Sequence, residues 1–270
     1  MSSRGNAVKD RLAAGEIAIG SIAQMASPEA VEMIAAAGFD WVWIDLEHGS
    51  FGLETAVQML RAAESKGVTP VVRVPDHNPS FIMRVLDAGA LGVMVPGVSR
   101  KEDAEAVVAA ARYSPLGKRG ACPWVRAAEH HARNWSEFVQ WSNENVMLWL
   151  LVEGKEGVEN LDEILEVPGY DAIVMGPFDL SQSLGHPGEI DHPDVVERVE
   201  SMFRKARAKG IDVVSVILSD TTEDMLPEAK RWIALGSRIV AAGADKVFLA
   251  TGFNATAKGI RSLSKGVSPR

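Results

Sequence analysis

Short apolar segments rich in valine and isoleucine alternate along the whole chain with longer amphipathic segments. This alternation is typical of parallel strands joined by crossover helices. It predicts eight strands, at residues 17–22, 41–46, 69–74, 92–95, 146–152, 172–175, 212–216 and 238–242. Eight such units favour an α/β fold of the closed (β/α)8 (TIM) barrel type, although an open doubly wound sheet has the same alternation.

Local signals predict where several helices begin and end. Ser27-Pro28 has the residues of a helix start, while Gly89 and Gly210 have the position of helix stops. Residues 113–145 form the one long irregular connection, and loops of that length are usually functional. We expect this connection to lie over the strand ends as part of a site. Because no linker or low-complexity tract interrupts the pattern, we interpret residues 1–270 as one barrel domain.

Composition narrows the classes of partner. Hydrophobic residues make up 47% of the 270 residues and the formal net charge is -8, without a concentrated basic run. These values predict a globular protein that binds neither nucleic acid nor membrane. The start of the chain has no secretory signal pattern, and no stretch approaches the roughly 20 apolar residues of a membrane span. Together with a single cysteine, Cys122, this predicts a cytoplasmic location.

Polar residues follow several of the predicted strands. The active site of a barrel is built at the carboxyl ends of its strands, so these residues are the candidates for chemistry. They are Asp45, Glu47 and His48 after the second strand, Arg73 after the third, Glu153 after the fifth and Asp179 after the sixth.

Two of these carboxylates predict a metal site. Glu153 and Asp179 follow neighbouring strands, where oxygen ligands favour Mg²⁺ or Mn²⁺ and leave positions for water and a chelating substrate. Helix capping by each carboxylate is the alternative. Arg73 suits an enolate or carboxylate oxygen, or else a structural carboxylate. His48 can titrate near neutral pH, as a general base must.

The turn after the sixth strand, Gly176-Pro177-Phe178-Asp179, leads into a predicted helix. The backbone N–H groups of Phe178 and Asp179 are free to receive a substrate carboxylate at such a start. Glycine and proline occur in turns of every kind, so this signal depends on its neighbour Asp179.

Six motifs in order resemble the HpcH/HpaI aldolase family, the metal-dependent class II pyruvate aldolases, which include 4-hydroxy-2-oxoheptanedioate and 2-keto-3-deoxy-glucarate aldolases. The resemblance covers most of the chain. The motifs are WIDLEHG (43–49), VVRVP (71–75), LDAGALGVMVPGV (86–98), RYSPLGKRG (112–120), LVEGKEGVENLDEI (151–164) and IVMGPFDLSQSLG (173–185).

The resemblance implies a (β/α)8 barrel whose metal is bound by Glu153 and Asp179 and chelated by pyruvate. The ion would be Mg²⁺ or Mn²⁺, with Co²⁺ also possible. Arg73 would stabilise the enolate oxygen, His48 would be the base, and Asp45 would hold a metal-bound water.

The resemblance also implies an oligomer. Asp87 matches a residue that reaches a neighbouring subunit's site and orients its histidine. The expected assembly is a hexamer, a trimer of dimers that exchange their C-terminal helices. Arg119 and Gly120 match a family position near the carboxylate pocket.

The expected reaction is reversible aldol cleavage of a 4-hydroxy-2-oxo acid to pyruvate and an aldehyde. The sequence departs from the family pattern at two positions, which we expect to affect the choice of substrate and not the metal chemistry. Leu151 replaces a family glutamine, and Gly154 removes a side chain near the mouth of the barrel, which is the end where the strands finish. The alternatives are an oxaloacetate decarboxylase or an enzyme that resembles macrophomate synthase, an acyl-CoA lyase of the same superfamily, and a barrel that only binds or assembles.

Overall fold

Eight parallel strands close into a barrel in chain order in the computed structural model, which describes residues 5–264. The strands are β1 (Ala18–Ala23), β2 (Trp41–Asp45), β3 (Thr69–Arg73), β4 (Gly92–Val95), β5 (Met147–Val152), β6 (Ala172–Met175), β7 (Asp212–Ile217) and β8 (Ile239–Ala244). β8 pairs with β1, so the barrel prediction is confirmed and the open sheet is excluded.

Helices follow the strands around the outside of the barrel. They are α1 (Ala7–Ala13), α2 (Pro28–Ala36), α3 (Leu53–Lys66), α4 (Pro79–Asp87), α5 (Lys101–Ala111), α6 (Trp135–Asn145), α7 (Lys155–Glu159), α8 (Leu161–Ile164), α9 (Pro177–Ser183), α10 (Pro193–Ala208), α11 (Thr222–Ala234) and α12 (Asp245–Ser264). A short 3-10 helix covers Arg126–Ala128. None of the helices among the described residues is long and apolar enough to cross a membrane.

The predicted boundaries lie within two residues of the observed ones, because the local signals act as expected. Ser27 accepts a hydrogen bond from the Ala30 N–H at 3.1 Å, and Pro28 begins α2. Gly89 and Gly210 follow helix ends with φ of 99° and 75°, a left-handed conformation that glycine adopts without strain.

Alternate residues of each strand face the inside of the barrel. On β2, Trp41 and Trp43 belong to the cluster of apolar side chains inside the barrel, here called the inner cluster. Val42 and Ile44 pack against the helices outside. Gly20 makes room for Trp41, because a Cβ at residue 20 would lie 2.2 Å from the indole ring. The next inward position on β2 is Asp45, so the period of two places a carboxylate above a fully apolar interior.

α1 closes the end of the barrel at which the strands begin. Val8 is fully buried in the inner cluster. Asn6 caps α1 and donates hydrogen bonds to the carbonyl oxygens of Leu91 (3.2 Å) and Asn145 (2.9 Å), while the Thr69 hydroxyl donates to Asn6. Because Leu91 and Asn145 lie just before β4 and β5, this contact joins α1 to the amino ends of the strands.

The connection at residues 113–145 lies at this same closed end. It follows α5, which runs back from the mouth, and it leads into the start of β5. Arg126 binds the Ala88 carbonyl at 3.0 Å and the Glu64 carboxylate, at the ends of α4 and α3. A cavity of about 470 Å³ opens between residues 127–134 and α6. The expectation that this connection lies over the strand ends of its own chain is therefore wrong.

α12 begins with contacts to β1 and β8, and its later turns are exposed. Its start is fixed by Asp245, whose carboxylate accepts hydrogen bonds from the N–H groups of Gln24 and Met25. Further along, Phe253 and Ile260 are 70% and 65% exposed. Residues 265–270 and 1–4 lie outside the described residues, so the assignment of the whole chain to one domain stays a prediction.

Candidate active site

Asp45 and Arg73 form the centre of the site at the carboxyl ends of β2 and β3. They are paired across these strands in the barrel register, and both belong to the inward-facing set. The guanidinium donates from Nε to Asp45 Oδ1 at 2.9 Å and from Nη2 to Oδ2 at 2.7 Å. This two-point contact fixes the plane of the guanidinium.

Asp45 is fully buried and its acceptors are occupied. Gln24 Nε2 donates to Oδ2 at 2.8 Å, and the backbone N–H groups of Glu47 and His48 donate to Oδ1. Burial by itself would raise the pKa of Asp45, but the hydrogen bonds and positive charge of Arg73 lower it below its ordinary value. Asp45 is therefore a carboxylate that holds Arg73, and its predicted contact with a metal-bound water stays a prediction.

Glu47 is the second carboxylate beside Arg73, and its position after the second strand predicted a site residue without a specific role. Its Oε2 lies 2.8 Å from Arg73 Nη1, and the guanidinium carbon lies 4.8 Å from the centroid of the Trp43 ring. Burial acts to lower the pKa of Arg73, but Asp45 and Glu47 raise it. A guanidinium has five N–H donors, so donors remain for a substrate oxygen.

Glu153 lies at the end of β5 in a partly buried position. Its Oε1 accepts a hydrogen bond from the Gly97 N–H at 3.0 Å. Gly176 leaves space for it, because a Cβ there would lie 2.6 Å from Glu153 Cβ and 3.0 Å from Oε2. Burial, followed by the charges of Asp179 and Glu47, raises the pKa of Glu153 to about 7.

These carboxylates have the chemistry of a cation site. Glu153, Asp179 and Glu47 act on one another through their negative charges, and Arg73 and His48 are the basic residues that act on them. Carboxylate oxygens are the ligands that Mg²⁺ and Mn²⁺ prefer. The raised pKa of Glu153 means that an added positive charge at this point would stabilise the ionised form. The residues present therefore fit a divalent cation.

Asp179 is exposed and lies in the first turn of α9, after β6. Leu180 N donates the first hydrogen bond of this helix, to the Gly176 carbonyl at 3.0 Å. The N–H groups of Phe178 and Asp179 precede that bond and are not used inside the helix. The predicted helix start is thus present, with Phe178 half-exposed beside it.

His48 lies at the mouth with a side chain that is 64% exposed. Its Nε2 lies 4.0 Å from Glu47 Oε2, so a protonated imidazole has a negative partner. Glu47 therefore links the two residues, since its carboxylate lies close to both His48 and Arg73.

Asp87 does not belong to this mouth. It is the last residue of α4, which runs from the end of β3 towards the start of β4, so it lies near the closed end. Its carboxylate accepts a hydrogen bond at 2.6 Å from Arg119, whose guanidinium lies over the Tyr113 ring. Within one chain, Asp87 and Arg119 form a pair remote from His48.

Leu151 lies on the inward side of β5, two residues before Glu153, and is buried in the apolar interior. Gly154 has open space around it, since a Cβ there would meet no atom within 4 Å. The floor beneath Glu153 is therefore apolar, and the mouth beside it is unobstructed.

Comparison with known proteins finds relatives over most of the chain. A model of the HpcH/HpaI aldolase/citrate lyase family matches residues 20–249. A 5-keto-4-deoxy-D-glucarate aldolase from Shigella dysenteriae serotype 1 is 36% identical over 243 residues, which are 89% of this chain and 91% of that protein.

Two solved structures have the same barrel. An HpcH/HpaI aldolase from Desulfitobacterium hafniense DCB-2 superposes with a TM-score of 0.86 at 31% identity, over 97% of this chain and 98% of the other. Macrophomate synthase superposes with a TM-score of 0.84 at 29% identity, over 97% and 90%.

The family match and the aldolase relatives identify a lyase, and this chain belongs to the HpcH/HpaI aldolase/citrate lyase family. The resemblance predicted from six motifs is confirmed. The comparisons therefore support an enzyme, and not the alternative of a barrel that only binds or assembles.

Proposed function

We propose that this enzyme catalyses reversible aldol cleavage of a 4-hydroxy-2-oxo acid into pyruvate and an aldehyde. The observation that carries the proposal is the position of Arg73, held by Asp45 and Glu47 beside the carboxylates of Glu153 and Asp179. The name of the Shigella relative's substrate describes a 2-oxo acid of this class.

Glu153 and Asp179 are the proposed ligands of a divalent cation, either Mg²⁺ or Mn²⁺, with Co²⁺ also possible. Such a cation polarises the keto group of pyruvate and makes its methyl protons more acidic. Glu47 supports this assignment by adding negative charge on the same side, and Gly176 supports it by leaving room for the Glu153 carboxylate.

Arg73 stabilises the negative charge that develops on the pyruvate oxygen when the carbon–carbon bond breaks. Its guanidinium is already fixed by two hydrogen bonds to Asp45, so little reorganisation is needed during the reaction. The N–H groups of Phe178 and Asp179 receive the pyruvate carboxylate at the start of α9.

His48 is the proposed base that removes the hydroxyl proton during cleavage and returns it during condensation. Its Nε2 lies 4.0 Å from Glu47 Oε2. We expect His48→Ala to slow turnover by about 10²- to 10⁴-fold, because that is the usual contribution of a positioned acid–base group. Steady-state kinetics check this, with the exposed His131→Ala as the control, and an unchanged rate would remove His48 from the mechanism.

A homo-oligomer, namely a hexamer built as a trimer of dimers with exchanged C-terminal helices, is part of the proposal. The exposed apolar side chains of α12, including Phe253 and Ile260, support it. Asp87 and Arg119 would then serve a neighbouring subunit's site, since they are remote from their own. We also propose a cytoplasmic location, in keeping with the single cysteine.

The first test is deuterium exchange into the methyl group of pyruvate, followed by NMR with Mg²⁺ or Mn²⁺ and again with a chelator. Metal-dependent exchange in the absence of an aldehyde is the expected result, because enolate formation needs only half of the reaction. If no exchange occurs with either metal while CO₂ is released from oxaloacetate, the decarboxylase alternative replaces the aldolase.

That alternative rests on a specific observation. Macrophomate synthase has a similar fold, and Gly154 leaves open space beside Glu153 where a side chain would otherwise lie. The acyl-CoA lyase alternative is less favoured, because Arg73 is the one arginine paired with the site carboxylates among residues 5–264 and the sequence has no concentrated basic run for phosphates. A panel of oxaloacetate, acyl-CoA thioesters and 4-hydroxy-2-oxo acids separates the three.

A further inference from the structure

Three side chains with metal-ligating atoms converge in the segment between α9 and α10. They are His186, Glu189 and His192, and one ligand atom from each lies within 4.8 Å of the other two. Both histidines are half-buried and the glutamate is exposed. This set differs from the mouth carboxylates because it includes two imidazole nitrogens.

The backbone explains the convergence. Glu189 N donates to the His186 carbonyl at 3.0 Å, and His192 N donates to the Glu189 carbonyl at 3.0 Å. Two successive three-residue turns of this kind place residues three apart on one side of the chain. The side chains therefore meet as a result of local hydrogen bonding, and not through chance contact of distant loops.

The segment is also anchored to α9. His186 N donates to the Ser181 carbonyl at 2.8 Å, and the Ser181 hydroxyl oxygen accepts from the Gly188 N–H at 3.0 Å. Gly188 has a φ of 78°, which lets the chain turn back towards Ser181. Ser181 is fully buried, so the cluster is supported by an ordered helix.

The two histidine rings lie close together, and one of them also caps a helix. His192 Nδ1 accepts the Asp194 N–H at 3.3 Å as the cap of α10, so Nε2 carries the ring proton in this arrangement. A metal at Nε2 would shift that proton to Nδ1 and replace this long hydrogen bond. The two imidazole rings stack with centroids 3.5 Å apart and planes inclined by 16°.

We propose that His186, Glu189 and His192 bind a transition-metal ion of the Zn²⁺ type, at a site separate from the cation site at the mouth. Two imidazoles and one carboxylate are a common protein ligand set for Zn²⁺, and water completes the coordination. The charge of the surroundings is favourable, since Asp194 lies 3.9 Å from His186. Mg²⁺ and Mn²⁺ prefer the oxygen ligands at the mouth, so the two sites select different metals.

A bound ion would hold the three ligand residues of segment 186–192 together. The hydrogen bonds of this segment to Ser181 would connect the ion to α9, which carries Asp179. We therefore expect Zn²⁺ to stiffen the rim of the mouth without taking part in the reaction. The proposal does not depend on the aldolase assignment.

The test uses full-length protein in which Glu153→Gln and Asp179→Asn have removed two carboxylates at the mouth. Binding of Zn²⁺ is measured by equilibrium dialysis, and coordination is followed by the visible absorption of substituted Co²⁺. We expect one ion per chain and the absorption spectrum of four-coordinate Co²⁺ with nitrogen and oxygen ligands.

Matched variants identify the ligands. His192→Asn keeps a residue that caps helices well but removes the imidazole, and His186→Gln keeps a polar side chain. Each should weaken Zn²⁺ binding by at least about tenfold, by analogy with the loss of supporting residues at metal sites. His131→Gln, at an exposed histidine on another part of the chain, should leave binding unchanged.

Two results would overturn the proposal. One is the absence of stoichiometric Zn²⁺ binding in the parent protein. The other is retention of Zn²⁺ affinity in both His186→Gln and His192→Asn, which would place the bound ion elsewhere. Circular dichroism confirms that each variant is folded, so a loss of binding can be assigned to the missing ligand.

Discussion

The two ends of the barrel are built from the same eight strands but have opposite chemistry. At the closed end, Trp41 and Val8 fill the interior and Asn6 satisfies the backbone at the strand starts. At the mouth, the same inward alternation presents Asp45 and Arg73. The closed end gains stability from burial, whereas at the mouth burial and neighbouring carboxylates disfavour the ionised form of Glu153. In barrel enzymes this division separates folding from catalysis.

The largest expected effect is at the closed end. Trp41→Ala should lower the free energy of unfolding by about 3–5 kcal/mol, because it leaves a cavity beside Gly20 and Trp149. Urea denaturation measures this loss. Pyruvate exchange per folded molecule should stay near the wild-type rate, and a large fall in that rate would contradict the division between the two ends.

The strongest effect on turnover is expected at Arg73. Arg73→Lys keeps a positive charge beside Asp45 but removes the planar fork, so turnover should fall by about 10²- to 10³-fold. The pyruvate exchange rate measures it. Arg61→Lys, an exposed arginine on α3, is the matched control and should have no effect. Normal turnover in Arg73→Lys would show that a positive charge is sufficient at this position and that the planar guanidinium is not needed.

Glu153→Gln should stabilise the metal-free protein while abolishing stabilisation by metal. The raised pKa of Glu153, about 7, means that its protonated form stabilises the fold below pH 4.5 and that this contribution is lost as pH rises to 7. In a chelating buffer at pH 8 we expect a gain of about 1–3 kcal/mol over wild type, which shrinks towards pH 5.

Thermal unfolding across this pH range, with and without Mn²⁺, provides the measurement. Glu159→Gln, an exposed glutamate on α7, is the control. Equal stability of Glu153→Gln and wild type at pH 8 would mean that neither burial nor the neighbouring carboxylates disfavour the ionised form of Glu153.

The smallest expected effect concerns the contact that fastens α1. Asn6→Ala removes two donors and a helix cap, so the free energy of unfolding should fall by about 1–2 kcal/mol. Urea denaturation again measures the change. A loss as large as that of Trp41→Ala would mean that polar closure, and not apolar filling, dominates this end.

The sequence by itself determined the barrel and much of the mouth. Strand positions follow from short apolar runs, and helix limits follow from residues such as Ser27 and Gly210, because these signals act within a few residues. Asp45, Arg73, Glu153 and Asp179 were predicted as mouth residues because each comes directly at or after a strand end, where every parallel strand delivers its polar residue to the same side.

Only the tertiary structure decided which charges face one another. It identified Glu47 and Gln24 as partners in the Arg73 network, and it placed residues 113–145, with Asp87 and Arg119, at the closed end. The chain direction of α4 and α5 carries these residues away from their own mouth. The contact between His186 and His192 was also visible only in the structure, since it depends on the two turns between them. Local patterns encode strands and helices, but contacts between elements depend on the closed register of the barrel, which no short stretch of sequence contains.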